Sequence, residues 1–260
     1  MRRYLLVAIW PAGLAAITSA TLIAARRASA APTVDPPGEA SWAKDLIKLG
    51  ATSGVGGVLS YHVMALIGPS AVKHGPAIDE PIYRWTSEHQ VKRWAAVMER
   101  FNKIGNTWTI WGAAGAAGVC LSVTWPRQKW LPPTALGAAI VADHYATLAL
   151  RRRFGRLGPP DSPLGTYPSG GCDRAVLFYG LIAYLLWHEF DGTPRGKVWG
   201  TGAVAALSFN VAYCREYLGK HWFTDIVFGL VYGVVLLGPF ITAVRVIAGP
   251  AGAKQEQGGI

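Results

Sequence analysis

The chain has 260 residues, of which 51% are hydrophobic and only 15% charged, and it carries a formal net charge of +10 at pH 7. This balance, with a positive mean hydropathy, excludes an ordinary soluble domain. The basic residues are dispersed among apolar segments, which excludes a nucleic-acid-binding surface and leaves anionic lipid head groups or an anionic substrate as their partners.

A membrane helix needs about 20 mostly apolar residues, and seven stretches nearly free of Asp, Glu, Lys and Arg are candidates. The first is Tyr4 to Ala25. It is followed by "ARRASAAP", Ala25 to Pro32, which mimics a signal-peptidase site. Arg26 and Arg27, however, stand where a cleavage region is normally neutral, so the segment reads as an uncleaved helix. Residues 1–45 are thus an N-terminal hydrophobic helix and linker, 46–248 a membrane domain and 249–260 a disordered tail.

Leu49 to Ala71 is the second span and contains His62. After it, Asp79 to Lys103 places Ile82, Trp85, Trp94, Val97 and Phe101 at approximate helical spacing among charges, the pattern of an interfacial amphipathic helix. Ile104 to Pro126 and Leu131 to Leu150 follow, the latter interrupted by Asp143 and His144. Ionisable groups inside a span are functional candidates, but neighbouring helix positions diverge, so Asp143 and His144 do not serve one partner.

Ala175 to His188 is short, with Arg174 and Glu189 placed to snorkel from its ends. Val198 to Cys214 and Ile226 to Val244 complete the set. Runs such as "WGAAGAAGV", Trp111 to Val119, suit close helix packing, and the absence of period-two alternation argues against a membrane barrel. The fold class is therefore all-α, a polytopic membrane helical bundle with six core helices plus the N-terminal one. His74, His89 and His188 lie in or beside connections and read as solvated or interfacial; Cys120 reads as a buried small residue.

Arg26, Arg27, Lys44 and Lys48 outweigh Arg2 and Arg3, which puts the end of the first helix in the cytoplasm. Connections 72–103, 151–174 and 215–225 then share the outer face. They carry 13 Lys and Arg against 10 on the inner side, so charge alone does not orient the chain.

The second of these connections is "LRRRFGRLGPPDSPLGTYPSGGCDR", Leu150 to Arg174. Its arginines offer planar, permanently charged forks for phosphate, and its glycines expose amides at a helix start that favour an anion. The third, "CREYLGKHWFTD", adds Arg215 and sets His221 four residues before Asp225. On one helical face, the carboxylate can hold one ring nitrogen and leave the other as base or nucleophile. These are the parts of a phosphoryl-transfer site.

The three connections resemble the motifs of the type-2 phosphatidic acid phosphatase superfamily: Lys-x6-Arg-Pro, Pro-Ser-Gly-His, and Ser-Arg-x5-His-x3-Asp. The third matches at Arg215, His221 and Asp225, with Cys214 in place of Ser; in the first, Arg151 replaces Lys and Gly158-Pro159 replaces Arg-Pro; in the second, Pro168-Ser169-Gly170 is followed by Gly171 instead of His. The motif order and helix framework extend the resemblance over residues 46 to 248.

The resemblance implies an integral membrane lipid phosphatase at the cell membrane with its site on the extracytoplasmic face. His221 would attack phosphorus and form a phosphohistidine, Asp225 would orient it, and Arg151, Arg215, Ser169, Gly170 and Gly171 would hold the phosphoryl oxygens. The substrate would be a lipid phosphate or diphosphate; no cofactor or metal is expected, and the arginines would neutralise charge.

In the family the second-motif histidine protonates the leaving alkoxide, which Gly171 cannot do. That favours a prenyl-type lipid diphosphate, whose leaving group is a phosphate, or else a proton from Asp173 or Tyr167. Arg152, Arg153 or Arg156 could offset the first-motif arginine. A lipid phosphotransferase and a catalytically degenerate phosphate-lipid binding protein are the alternatives. Cys172 and Cys214 fall in motifs that should converge, where a disulfide is conceivable.

Overall fold

Long apolar runs separated by Pro, Gly and charged residues yield helices throughout. The computed structural model describes residues 39–125, 128–160, 162 and 166–249, and among them there are eight α-helices and no strand. They are α1 (Glu39–His74), α2 (Pro76–Glu88), α3 (Lys92–Asn102), α4 (Thr107–Thr124), α5 (Leu131–Phe154), α6 (Gly170–Leu186), α7 (Pro194–Tyr217) and α8 (Phe223–Ala248). Six of them, α1 and α4 to α8, correspond to the six expected core spans, with α4 starting three residues later than expected and α6 ending two residues earlier, so the fold is the anticipated all-α bundle. The N-terminal hydrophobic stretch Tyr4 to Ala25 and residues 250–260 lie outside the described residues.

Two helices among the described residues, α1 over Lys44–His74 and α8 over Phe223–Ala248, are long and apolar enough to cross a membrane. Their outward faces are apolar: Val58 and Leu66 of α1 and Val234 and Val246 of α8 are exposed. Inside, Met64, Ile110, Leu136, Phe178, Tyr232 and Phe240 are fully buried in one core. A bundle apolar both inside and outside is what lipid solvation requires, and the chain is a membrane protein.

α6 is the central helix and packs against both α7 and α8. Its contact with α8 is close because a Cβ at Gly229 would lie 2.7 Å from the Ser169 carbonyl oxygen, and one at Gly233 would lie 2.6 Å from that of Asp173. Any side chain at either position would push the start of α6 away from the start of α8. α6 has only 17 residues but runs on through a π-helical turn, Trp187–Asp191, which accounts for the short apolar run there.

Several expectations need correction. The amphipathic stretch is two helices, broken where Gln90 Nε2 donates to the Tyr217 carbonyl (2.6 Å) and the Val91 N–H to the Tyr217 hydroxyl (2.9 Å). Cys120 is exposed, on the outside of α4, while Cys172 and Cys214 are both buried and free, so no disulfide joins them. His188 is buried, stacked on Trp125 with its Nε2 2.9 Å from the Gly249 carbonyl oxygen.

Candidate active site

The site forms where the ends of α5 and α7 meet the starts of α6 and α8. α5 stops at Gly155, whose φ of 51° closes the helix onto the Arg151 carbonyl. The three arginines of its last turn suit the negative end of the helix dipole. α7 ends at Tyr217, and Gly219 (φ 62°) reverses the chain so that the Lys220 N–H returns to the Arg215 carbonyl. This tight turn brings His221 back beside Arg215. α8 then starts with Asp225 at its third position, accepting from the Trp222 N–H at 3.4 Å.

Arg215 Nη1 lies 3.0 Å from His221 Nε2. A guanidinium only donates, so Nε2 is the acceptor and the ring proton sits on Nδ1. His221 is almost fully buried. Burial, reinforced by Arg215 and Arg151, holds its pKa well below the usual 6.5. The imidazole is therefore neutral, with its Nε2 lone pair directed at Arg215.

Because that pKa is depressed, His221 still carries its Nε2 lone pair at pH 6.5, where an ordinary histidine is half protonated. The acid limb that His221 imposes on kcat/KM, which reports the free enzyme, should accordingly lie below pH 6.5. A pH profile with a midpoint at or above that value would contradict the assignment.

The glycines at the start of α6 face guanidinium groups, Gly170 those of Arg151 and Arg174 and Gly171 that of Arg215. A Cβ at Gly170 would fall 2.8 Å from Arg151 Nη2, and one at Gly171 would fall 2.1 Å from Arg215 Nη2. Arg151 Nε and Arg215 Nε are buried without a hydrogen-bond partner among the described residues. Burial disfavours the charged form of both arginines, and Arg215 adds repulsion on Arg151. Two crowded cations with spare donors, beside the positive end of a helix, are a site for an anion. Ser169 is buried next to them, its N–H on the Asp225 carbonyl (3.0 Å) and its hydroxyl on Cys172 Sγ (3.3 Å).

Asp225 Oδ2 lies 3.9 Å from His221 Nδ1, which is electrostatic range and not a hydrogen bond. Its direct partner is Arg156, whose Nη1 is 2.5 Å from Oδ1, while Arg156 Nη2 contacts Asp79 Oδ2 of α2. Thr224 ties the group together, donating its N–H and hydroxyl to Asp79 at 2.8 and 2.7 Å. Arg156 is thus committed to two buried carboxylates and does not stand in for a phosphate ligand. Arg152 and Arg153 are exposed and do not offset the first-motif arginine either.

Asp79 is the residue that sequence reasoning missed, since an aspartate in an amphipathic stretch looks like surface charge. Glu216 is another. Its Oε2 is buried without a partner among the described residues, and burial, then Asp79 and Asp225, raise the carboxyl from 4.5 to about 7. The fold favours the protonated form, whereas the unfolded chain ionises from pH 4.5, so stability is lost as pH rises between 4.5 and about 7. Glu216→Gln should raise the thermal midpoint at alkaline pH and change it little in mild acid; equal effects at both would contradict this.

Asp173 is buried, accepting from the Arg174 N–H (2.5 Å), with the Thr147 hydroxyl 3.3 Å from both its Oδ2 and Asp143 Oδ1; burial and Asp143 raise its carboxyl to about 7, and Tyr167 packs between Phe154 and Phe228. Asp143 is also buried, held by Arg174 Nε at 2.7 Å, whereas His144 is exposed. The two neighbours do point in different directions. His62 bonds back to its own helix through the Val58 carbonyl (2.8 Å).

Residues 93–247 match the PAP2 superfamily. The structure superposes with a TM-score of 0.65 on the first transmembrane PAP2 type phosphatidylglycerolphosphate phosphatase from Bacillus subtilis, at 19% identity, covering 74% of this chain and 96% of that one. No curated protein sequence matches the chain. With the motif residues gathered at one end of the bundle and the family match spanning more than half of its length, the chain belongs to the PAP2 superfamily.

Proposed function

We propose that the protein is an integral membrane phosphatase that hydrolyses a lipid phosphate, preferentially a prenyl-type lipid diphosphate, through a phosphohistidine on His221. The observation that carries this reading is the neutral, buried His221, whose Nε2 lone pair faces Arg215 beside Arg151 and the start of α6. A phosphoryl group entering there finds a nucleophile and fixed positive charge together, the two requirements of the transfer. Arg151, Arg215 and the Gly170 and Gly171 amides hold its oxygens, while Arg156 keeps Asp225 next to the ring. We place this site on the extracytoplasmic face of the cell membrane, where lipid phosphates reach it from the bilayer.

The test is phosphate release by purified protein in detergent, with a chelator present, from farnesyl diphosphate, farnesyl monophosphate and phosphatidic acid. Release dependent on His221 and fastest with the diphosphate is expected. A clear preference for the monophosphate would remove the diphosphate assignment. Binding without release from any of the three would support a degenerate lipid-phosphate binder instead.

A further inference from the structure

We propose that Gly171 is a specificity-determining residue: by leaving its side-chain space to the Arg215 guanidinium, it places a fixed cation where a proton donor would otherwise stand, and so selects lipid diphosphates. This inference rests on the phosphohistidine reading above and names the residue pair that sets its substrate class.

The exclusion is steric. A Cβ at 171 would lie 2.1, 2.3 and 2.4 Å from Nη2, Cζ and Nε of Arg215, so no side chain can occupy 171 while Arg215 stays in place. Arg215 is held there from two sides, by Nη2 on the Gly105 carbonyl (3.2 Å) and Nη1 on His221 Nε2 (3.0 Å). When a phosphoryl group arrives, its oxygens replace Nε2 as the acceptor for Nη1, which frees the lone pair without moving the guanidinium off Gly171.

A guanidinium stabilises negative charge but gives up no proton at working pH. The other groups around Nε2 do not supply one either. Asp225 is committed to Arg156; Asp173, whose carboxyl burial and Asp143 raise to about 7, has Oδ1 on the Arg174 N–H and Oδ2 turned to Thr147; and Tyr167 is enclosed by Phe154 and Phe228 with its phenol pushed above its ordinary value by burial. Glu216 is protonatable but faces Asp79 and Asp225.

The leaving oxygen must therefore depart with its electron pair. In the first step Nε2 bonds to the terminal phosphorus as the bridging P–O bond breaks, and the lipid monophosphate leaves as an anion facing Arg215. Water then adds to phosphorus, the P–N bond breaks with its pair returning to Nε2, and the surplus water proton passes to solvent. An alkyl monophosphate would have to expel an alkoxide, a far stronger base. Lacking an acid costs such a substrate about 10²-fold or more.

The unaltered protein provides the first measurement, kcat/KM for farnesyl diphosphate against farnesyl monophosphate and for 4-nitrophenyl against phenyl phosphate. A ratio of about 10² or more for the lipid pair and a steep dependence on the aryl leaving group are expected. Gly171→His, which returns an acid to this place and displaces Arg215, should narrow the lipid ratio by about 10-fold. Gly171→Ala, which displaces Arg215 without adding an acid, should lower both lipid rates, that of the diphosphate more, because its departing anion faces Arg215.

A leaving-group-independent rate in the unaltered protein overturns this inference and leaves the phosphatase reading intact. So does a leaving-group dependence that steepens in Glu216→Gln or in Asp173→Asn, which would identify that carboxyl as the acid. Absence of His221-dependent release from every ester overturns both.

Discussion

His221→Ala should reduce phosphate release by about 10⁴-fold or more, the scale on which loss of a covalent nucleophile acts. The expectation follows from the site's construction. His221 is the only histidine among the described residues in contact with Arg215, and its Nε2 lone pair is already oriented by that contact. The substitution leaves Arg151, Arg215 and the α6 amides in place, so lipid phosphate should still bind. The matching positive result is a phosphoryl label, acid-labile and base-stable as a P–N bond is, trapped on the unaltered protein and absent from the variant. Label or turnover surviving in His221→Ala would dismiss the histidine as nucleophile.

The second large effect is on stability. Arg156→Ala should destabilise the fold by about 3–5 kcal/mol, because it strands two buried carboxylates that share one guanidinium. Asp79 and Asp225 have no exposed side-chain surface, and Arg156 reaches both while also donating to Thr224 at 2.7 Å. Lysine keeps the charge but lacks the planar fork that spans two partners, so Arg156→Lys should recover only part of the loss. Thermal unfolding in detergent measures this directly. A midpoint unchanged in Arg156→Ala would mean that the Asp79–Arg156–Asp225 link contributes nothing net. Activity should fall with stability, since the link also holds Asp225 beside the His221 ring.

The same link joins parts of the chain that differ in how they match the family. The family match begins at residue 93, yet Asp79 lies before it, on α2, and α1 packs along α8. The connection of residues 72–103 is consequently part of the site's support and not merely a cover over the bundle.

By itself the sequence determined the helical membrane architecture and the identity of the chemical groups. Spans are legible because lipid demands about 20 apolar residues per helix whatever their neighbours, and Arg215, His221 and Asp225 are legible because their spacing within one turn and helix start is local. What only the tertiary structure decided was the partner of each charge. Four arginines in six residues look equivalent in sequence, but Arg152 and Arg153 face outward, Arg151 reaches Gly170, and Arg156 is taken by Asp79 and Asp225. The direction of each depends on where α5 ends and on what lies opposite, up to 77 residues away in the chain. Likewise, Gly171 reads in sequence as a missing histidine, and only packing reveals that Arg215 fills the space. Long-range proximity of that kind is set by how whole helices meet, and no local pattern encodes it.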